Sequence, residues 1–513
     1  MNQYSSNNKR IAKNSLYLYI RMFVIMAVSL YTTRVILKVL GASDYGVFDV
    51  MGGIIGILGY VNMLLAGGTS RFLTIDLGRG DMKELKNTFA MCNTLALTAG
   101  VIILILGETI GLWFMKNELN ITPERMDAAM WVYQCALFSS VFSVFSSPYM
   151  ASIIAHEKMS VYAYMSIIEA VLKLAIVFLL FLFNIDKLKL YAVLLFLTHL
   201  VVFILYAAYS LKKFEECTVK CKFNKEKITE MLTFSGWGMI GAFAYLLNNY
   251  GISILLNIFF GTVVNAARGI AMQINMVIQK FYTNFQTAAR PQIVKYYAQN
   301  DIIGMSNLII NTSKYSGYLL LCLIVPIVAG LRGLLTLWLG EFPEETSFFF
   351  FFLLIQSLLT AIDLPVGQGI MAVGKMKLPN ITTAILNLSV FPLTYFAFKM
   401  GANPTAGYLI YILSSPFVLI VDLWILNKYI GFNRTLFFRR ALLPVISLSI
   451  AGLAPAMLVS YWLMYETWIG NIFIVLSSFL WMAILIFLFG LSKTVRYNMI
   501  RIMRDKFSII KKI

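Results

Sequence analysis

Several basic side chains lie inside long apolar stretches of the sequence, where a charge needs a partner or a water-filled cavity. This group of candidates comprises Arg21, Arg34, Lys173, Arg268 and Lys280. A guanidinium offers a planar fork of N–H donors that can hold two oxygens of one phosphate, whereas an ammonium acts as a point charge. These residue types therefore indicate a cationic cavity for an anionic, phosphate-bearing ligand.

Each of these cations also has a structural interpretation. Arg34 and Arg268 lie near the ends of their apolar stretches and could simply extend to the lipid headgroups. Arg21 and Lys280 lie deeper, which favours the cavity. Lys173 follows Glu169 by four residues, so the two share a helical face and can neutralise each other. We favour that structural pair over an ion-coupling role for Glu169.

Two further acids are candidates for coupling or gating. Asp363 lies two residues before Pro365, which is compatible with a hinge or gate, although ordinary placement near the membrane surface is the favoured interpretation. Asp422 could bind H+ or Na+ as a coupling ion. No cofactor is expected beyond such an ion.

The sequence contains few residues that could support catalysis or bind a metal. His156 and His199 are far apart, and the five cysteines are odd in number and lie mostly in apolar stretches. We therefore predict no metal site, no catalytic residues and no enzyme activity. We expect the hydrogen-bonding groups of the His199 side chain to find a partner on a neighbouring helix.

The elements that position these residues must be membrane helices. Of the 513 residues, 59% are hydrophobic and only 13% are charged, whereas a soluble domain has about 25% charged residues. A membrane-spanning helix needs about 20 apolar residues. We predict an all-α protein with about fourteen spans, at residues 15–38, 47–68, 88–113, 128–150, 161–183, 190–211, 233–258, 267–288, 313–335, 347–370, 380–400, 406–427, 442–464 and 468–490.

The net charge of +18 is explained by orientation, without any nucleic-acid partner. With the N-terminus inside, the inner connections and termini hold 29 basic residues and the outer loops hold 5. Basic residues favour the cytoplasmic side. Both termini are therefore predicted to be cytoplasmic, and the basic tail is predicted to form an amphipathic helix on anionic lipid.

Three landmarks recur at offsets of 217–220 residues. Gly41 aligns with Gly261, and Arg71 and Asp81 align with Arg290 and Asp301. The third is P-x6-A-x2-K-M, which begins at Pro148 and again at Pro365. Both glycines follow outward-running spans, so the repeats are parallel, an architecture known in secondary transporters. We predict an N-lobe at 1–217, a C-lobe at 218–433, and two added spans with the tail at 434–513.

The sequence resembles the polysaccharide transporter branch, the Wzx-type flippases, of the multidrug/oligosaccharidyl-lipid/polysaccharide (MOP) exporter superfamily. The resemblance covers nearly the whole chain, including the P-x6-A-x2-K-M element and the two-lobe layout. Its other features are N-S-L-Y-L-Y from Asn14, residues Arg34–Gly46, the glycines at 52, 53, 56 and 59, and S-R-F-L from Ser70.

The resemblance implies a flippase that carries an undecaprenyl-diphosphate-linked oligosaccharide across the bacterial inner membrane. The repeat unit could be that of an O-antigen, a capsule or an exopolysaccharide. The expected partners are the membrane, this lipid-linked oligosaccharide, a polysaccharide polymerase and a chain-length regulator, and the protein is expected to be a monomer. One alternative is a drug or cation antiporter on the same fold, which would favour an acidic lumen. A membrane-embedded polymerase is a second alternative.

Overall fold

A computed structural model describes residues 2–59, 69, 72–74, 76–156, 158–226, 228–229, 243–244, 246–462 and 468–497. Side chains are described from Met22 onward within these ranges, except at 284, 287, 288, 291, 459–462 and 468. The side chain of Arg21, the predicted Arg71 landmark and the basic tail beyond Tyr497 therefore lie outside the described parts.

Helices form all the regular structure of the described residues. They are α1 (Asn2–Leu58), α2 (Met82–Leu106), α3 (Leu112–Asn117), α4 (Met126–Ala155), α5 (Met159–Leu182), α6 (Lys187–Lys213), α7 (Ile252–Phe260), α8 (Thr262–Ala298), α9 (Ile302–Ala329), α10 (Leu331–Leu339), α11 (Glu345–Val373), α12 (Lys377–Lys399), α13 (Ala406–Ile430), α14 (Arg434–Phe437), α15 (Leu443–Trp462) and α16 (Trp468–Leu485). Eleven helices in the described residues are long and apolar enough to cross a membrane. The predicted all-α, polytopic membrane fold is confirmed.

The difference between eleven helices and fourteen predicted spans has identifiable causes. Helix α1 runs through the first predicted span and into the second, with a kink at Gly41. Predicted spans 47–68 and 233–258 lie partly outside the described residues. Predicted span 267–288 lies on α8, which is not among the eleven apolar helices. Its asparagine, glutamine and basic residues make α8 unusually polar for a membrane helix.

Two of the repeat landmarks have matching local structure. Gly41 (φ 77°, ψ 168°) and Gly261 (φ 83°, ψ −171°) share a backbone conformation that is open essentially only to glycine. Asp81 and Asp301 are both N-caps, of α2 and α9. The Asp81 carboxylate accepts hydrogen bonds from two backbone N–H groups of the first turn, and the Asp301 carboxylate accepts one. These positions therefore perform the same structural task in both repeats.

The chain folds into two compact units. The first comprises Met1–Gln273, Pro343–Thr346 and Ala384–Ile410, and the second comprises Ile274–Phe342, Ser347–Thr383 and Tyr411–Ile513. The boundaries predicted for the lobes, at 217/218 and 433/434, stay a prediction.

Glycines allow close helix packing within the first unit. A Cβ on Gly100 of α2 would lie 2.7 Å from the ring of Phe145 on α4. At the π-helical turn after α2, Gly107–Gly111, the Tyr133 hydroxyl donates to the backbone oxygen of Gly107 at 2.6 Å. Lipid offers helices little hydrophobic gain on association, so such close contacts and hydrogen bonds hold the unit together.

The connection that follows α6 is tied along α2. The Asn93 side-chain amide donates to the carbonyl of Thr218 at 2.6 Å, and the Lys222 N–H donates to Thr94 Oγ1 at 3.0 Å. The Thr94 hydroxyl in turn donates to the Lys222 carbonyl at 2.9 Å. Backbone groups of this segment thereby form hydrogen bonds with side chains of α2.

A buried polar cluster lies where this segment begins. Glu216 is 2% exposed and accepts a hydrogen bond from Ser152 Oγ at 2.7 Å, and its Oε1 lies 2.8 Å from His156 Nε2. Cys217 is buried beside it, and burial raises the pKa of its thiol to about 12. We therefore expect this thiol to be chemically inert at neutral pH.

A proline in the second unit leaves a backbone carbonyl that a side chain from another helix binds. Pro365 lies inside α11 and has no N–H to bond the carbonyl of Ala361, four residues earlier. The buried amide of Gln286, on α8, donates to that carbonyl at 2.7 Å and is also 2.9 Å from Ser316 Oγ on α9. One glutamine thus satisfies the backbone that the proline exposes and links three helices.

Candidate functional site

One face of α1 carries three glycines and a carboxylate at helical spacing: Gly46, Asp49, Gly53 and Gly56. A Cβ on Gly46 would collide with the backbone of Thr262 at the start of α8, and one on Gly56 would lie 2.7 Å from the ring of Tyr250. Since only glycine permits this approach, α1 comes into backbone contact with α8. The stripe places Asp49 inside the contact.

Asp49 is the centre of a hydrogen-bond network in the first unit. Its Oδ2 lies 3.1 Å from Ser253 Oγ, accepts from Asn265 Nδ2 at 3.1 Å, and lies 3.4 Å from Arg268 Nη1. The Asn265 amide also reaches the carbonyl of Gly46 at 3.3 Å, and its Oδ1 lies 2.8 Å from Ser253 Oγ. Asn265 and Arg268 are three residues apart on α8, which puts both on the face toward α1.

Arg268 is buried, with a side chain only 4% exposed. Besides Asp49, its guanidinium donates to the backbone carbonyl of Asn249 and to the hydroxyl of Tyr408 on α13. Its Nε atom has no hydrogen-bond partner among the residues that the structure describes. Arg268 does not extend to the lipid headgroups, so that interpretation of its position near a span end is wrong.

The contact with Asp49 leaves part of the hydrogen-bonding capacity of the Arg268 guanidinium unused. A guanidinium forms its strongest bonds with two oxygens of one carboxylate or phosphate. The Arg268–Asp49 contact uses one N–H at 3.4 Å, and the Nε donor is unused. An incoming phosphate could therefore make more and shorter hydrogen bonds to Arg268 than Asp49 does.

The other predicted cations do not join this network. Arg34 lies on an exposed stripe of α1, in line with Tyr31 and Lys38. Lys280 is exposed in the second unit. Among the described side chains, Arg268 is therefore the one predicted cation that the structure places in the Asp49 network, and the substrate-binding role of this whole group stays a prediction.

Lys173 and Glu169 form the ion pair that their spacing predicts. Lys173 Nζ lies 2.6 Å from Glu169 Oε1, and both side chains are about one-third exposed. His199, on α6, interacts electrostatically with this pair. Its Nδ1 lies 2.8 Å from the carbonyl of Leu195 in its own helix. That hydrogen bond lies within α6. It is not the hydrogen bond to another helix that we expected for His199.

Asp363 and Asp422 lie together in the second unit, on α11 and α13, and interact electrostatically. Within the described residues, the buried Oδ1 atom of each carboxyl group has no hydrogen-bond partner. The sequence suggested each acid separately but gave no sign that they meet. Gating and ion coupling by Glu169, Asp363 and Asp422 stay predictions.

Several residues of the Asp49 network were absent from the predicted site. They are Asp49 itself, Ser253, Asn265 and Tyr408. One sequence signal could have found the central pair, because Asp49 and Arg268 are 219 residues apart, close to the offset of the repeat landmarks. Tyr408 had no such signal.

No protein-family model and no curated protein sequence matches the chain. Solved structures do match it. The lipid II flippase MurJ, in its inward closed conformation, is 13% identical with a TM-score of 0.70, over 91% of this chain and 98% of that chain. An inward-facing multidrug resistance MATE family transporter of the MOP superfamily is 14% identical with a TM-score of 0.64, over 80% of this chain and 98% of that chain.

A third structure widens the comparison. The MATE multidrug transporter DinF-BH is 17% identical with a TM-score of 0.60, over 84% of this chain and 96% of that chain. The chain has the fold that these three transporters share. At these identities the likeness concerns the fold alone, and the Wzx branch of the superfamily is a proposal. Together with its apolar helices, this fold makes the chain a multi-pass membrane protein.

Proposed function

We propose that the protein is a Wzx-type flippase that carries an undecaprenyl-diphosphate-linked oligosaccharide from the cytoplasmic to the outer leaflet of a bacterial inner membrane. The observation that carries this proposal is the buried Arg268, whose only contact with the Asp49 carboxylate among those described is one N–H at 3.4 Å, and whose Nε donor has no partner among the described residues. A guanidinium in this setting suits a phosphate-bearing substrate. The fold shared with a lipid II flippase and with MATE transporters supports a transport role.

The Asp49–Arg268 contact provides a conformational latch for alternating access. While Asp49 holds Arg268, α1 and α8 stay in backbone contact at Gly46 and Thr262. A diphosphate that takes Arg268 from Asp49 would remove this link, so substrate binding and helix separation would be coupled. A ligand can shift a conformational equilibrium only through such differential contacts.

The remaining parts of the proposal rest on the sequence. The excess of basic residues on one side supports cytoplasmic termini. The substrate-binding role of Arg21, Arg34, Lys173 and Lys280 rests on their positions in apolar stretches of the sequence, and the polyprenyl chain would stay in lipid. The protein would act without a catalytic residue and as a monomer, beside a polymerase and a chain-length regulator.

A deletion strain tests this function directly. The flippase predicts loss of the surface polymer with accumulation of lipid-linked repeat units on the cytoplasmic side, restored by the wild-type gene. Accumulation of unpolymerised units on the outer side would instead indicate a polymerase. Normal polymer with increased drug sensitivity would indicate the antiporter.

The antiporter alternative has one structural observation in its favour, which is the acidic pair Asp363 and Asp422. Within the Asp49 network, however, the acid is already paired with an arginine. A cationic drug would have to displace that arginine, which makes this network a poor site for a cation.

A further inference from the structure

Two long helices of the second unit lie side by side and run in the same direction. Ser415 Oγ of α13 donates to Gln356 Oε1 of α11 at 3.0 Å. Farther along both helices, a Cβ on Gly369 would lie 3.5 Å from Leu426. Residue numbers rise along both helices between these two contacts, so α11 and α13 are parallel neighbours over this length.

Asp363 and Asp422 occupy the same level between these contacts. Asp363 follows Gln356 by seven residues, and Asp422 follows Ser415 by seven residues. Seven residues are about two helical turns, or about 10 Å, and return the chain to nearly the same face. The two carboxyl groups are therefore directed toward each other across the α11–α13 contact, in agreement with their electrostatic interaction.

Asp422 is buried and Asp363 is half-buried, and neither has a counter-ion among the described residues. Asp422 is 7% exposed, and the Oδ1 atoms of both acids are buried without a hydrogen-bond partner in the described residues. Among the described groups, the charge that acts on Asp363 is that of Asp422. Two ionised carboxylates in such a place would repel each other with little screening.

The neighbouring helices supply no compensating charge among the described side chains. Helix α8 presents the neutral Gln286 to α11, and its Lys280 is exposed. On α9, the ammonium of Lys314 lies 5.2 and 5.7 Å from the ring centres of Tyr315 and Tyr318. Across the short α14 and the π-helical turn after it, Leu436, Phe437, Ala441 and Leu442 contribute to the apolar core that includes Ile362 and Leu423. Arg440, on the same turn, interacts electrostatically with Lys314.

We propose that Asp363 and Asp422 form a proton-binding site in which one proton is held between the two carboxyl groups. A shared proton neutralises one of the two carboxylates. It also supplies a hydrogen-bond donor to a carboxylate oxygen that otherwise has no partner among the described residues. A metal cation fits less well, because hard cations take several oxygen ligands and the described residues include no cluster of three or more acidic, histidine or cysteine side chains. This site does not depend on the proposed substrate.

An apolar carbodiimide tests the proposal, because it forms a stable adduct only with a protonated carboxyl group. Purified wild-type protein in detergent would be treated between about pH 6 and pH 9, and adducts would be located by peptide mass spectrometry. We expect labelling on the α11 or α13 peptide at neutral pH, at least tenfold weaker at the alkaline end. The ion-paired Asp49 should stay unlabelled, and the D363N/D422N variant should lose the adduct.

Absence of an adduct on both acids across this pH range would overturn the proposal. So would an adduct that added Na+ abolishes at constant pH, because the site would then hold a metal cation. The wild-type measurement needs no variant to fold and involves no transport. It can therefore fail while the flippase function stands, and the flippase function can fail while the proton site stands.

Discussion

Asp49 and Arg268 lie at nearly equivalent positions of the two repeats, and their side chains meet. Asp49 is eight residues after Gly41 and Arg268 is seven residues after Gly261, and the carboxylate and guanidinium are 3.4 Å apart. The two glycines share one backbone conformation, so each repeat starts its next helix in the same way. Where two such helices pack together, related positions come face to face, and here they carry opposite charges.

The pair predicts a non-additive effect of substitutions on stability. D49N leaves the buried Arg268 without its anionic partner, and R268Q leaves the half-buried Asp49 without its cation. Breaking a buried ion pair in this way typically costs about 3–5 kcal/mol. The double variant D49N/R268Q removes both charges, so we expect it to unfold at a higher temperature than either single variant. Thermal unfolding in detergent would measure this. Simple addition of the two single effects would mean that the residues do not interact.

A cross-link across the same helices should block transport. The hydroxyls of Ser43 and Thr262 are 3.1 Å apart, a separation compatible with a disulfide between cysteines. In a background without the native cysteines, oxidised S43C/T262C should fall to background flipping and recover on reduction. S43C alone is the control. Full transport by the cross-linked protein would show that α1 and α8 do not separate at this point.

The glycine stripe predicts a contrast between two neighbouring positions. A Cβ on Gly46 collides with the backbone of Thr262, whereas a Cβ on Gly52 meets no atom within 4 Å. We expect G46A to be destabilised by about 1–3 kcal/mol and G52A to behave like the wild type. Equal unfolding temperatures for the two variants would contradict the close approach of α1 and α8.

The sequence could predict the fold because membrane helices have a direct signature in composition and length. The repeat was also visible, since Gly41 and Gly261 perform a task that only glycine can perform. The glycines of the second predicted span differ in a way that the sequence does not show: a Cβ on Gly56 would lie 2.7 Å from the ring of Tyr250, whereas one on Gly52 meets no described atom within 4 Å. Apolar spacing alone cannot show which face of a helix meets a neighbour.

The site was predicted only in part. Arg268 stood out because a charge in an apolar stretch is costly, and the structure places it in a buried network. Its partners Ser253, Asn265 and Tyr408 are ordinary residue types that become significant only when three helices converge. The pair of acids in the second unit was likewise hidden, because 59 residues separate them in the sequence.

Two cysteines provide a test of both burial and orientation. Cys217 is buried and its thiol has a pKa raised to about 12, so only about one thiol in 10⁴ is ionised at pH 8. Cys221 is exposed. A membrane-impermeant maleimide should label Cys221 in inverted membrane vesicles but not in intact spheroplasts, and should leave Cys217 unlabelled in both.

The C221S variant is the control for that experiment, and we expect it to abolish labelling. Strong labelling of intact spheroplasts through Cys221 would reverse the predicted orientation. Labelling of Cys217 in folded protein at pH 8 would contradict its burial. Raising the pH toward 12 should increase labelling of Cys217 only as the thiol ionises or the protein unfolds.

The most direct test of the account is the flipping rate of Arg268 variants in proteoliposomes that contain an undecaprenyl-diphosphate-linked oligosaccharide. Movement would be followed by the access of an external lectin to the sugar. If Arg268 binds the diphosphate, R268A should lower the rate about 10–100-fold, as expected for loss of hydrogen bonds to a charged group. R268K should retain part of the activity, and the exposed-residue control R79A should match the wild type. Wild-type flipping by R268A would contradict the central claim.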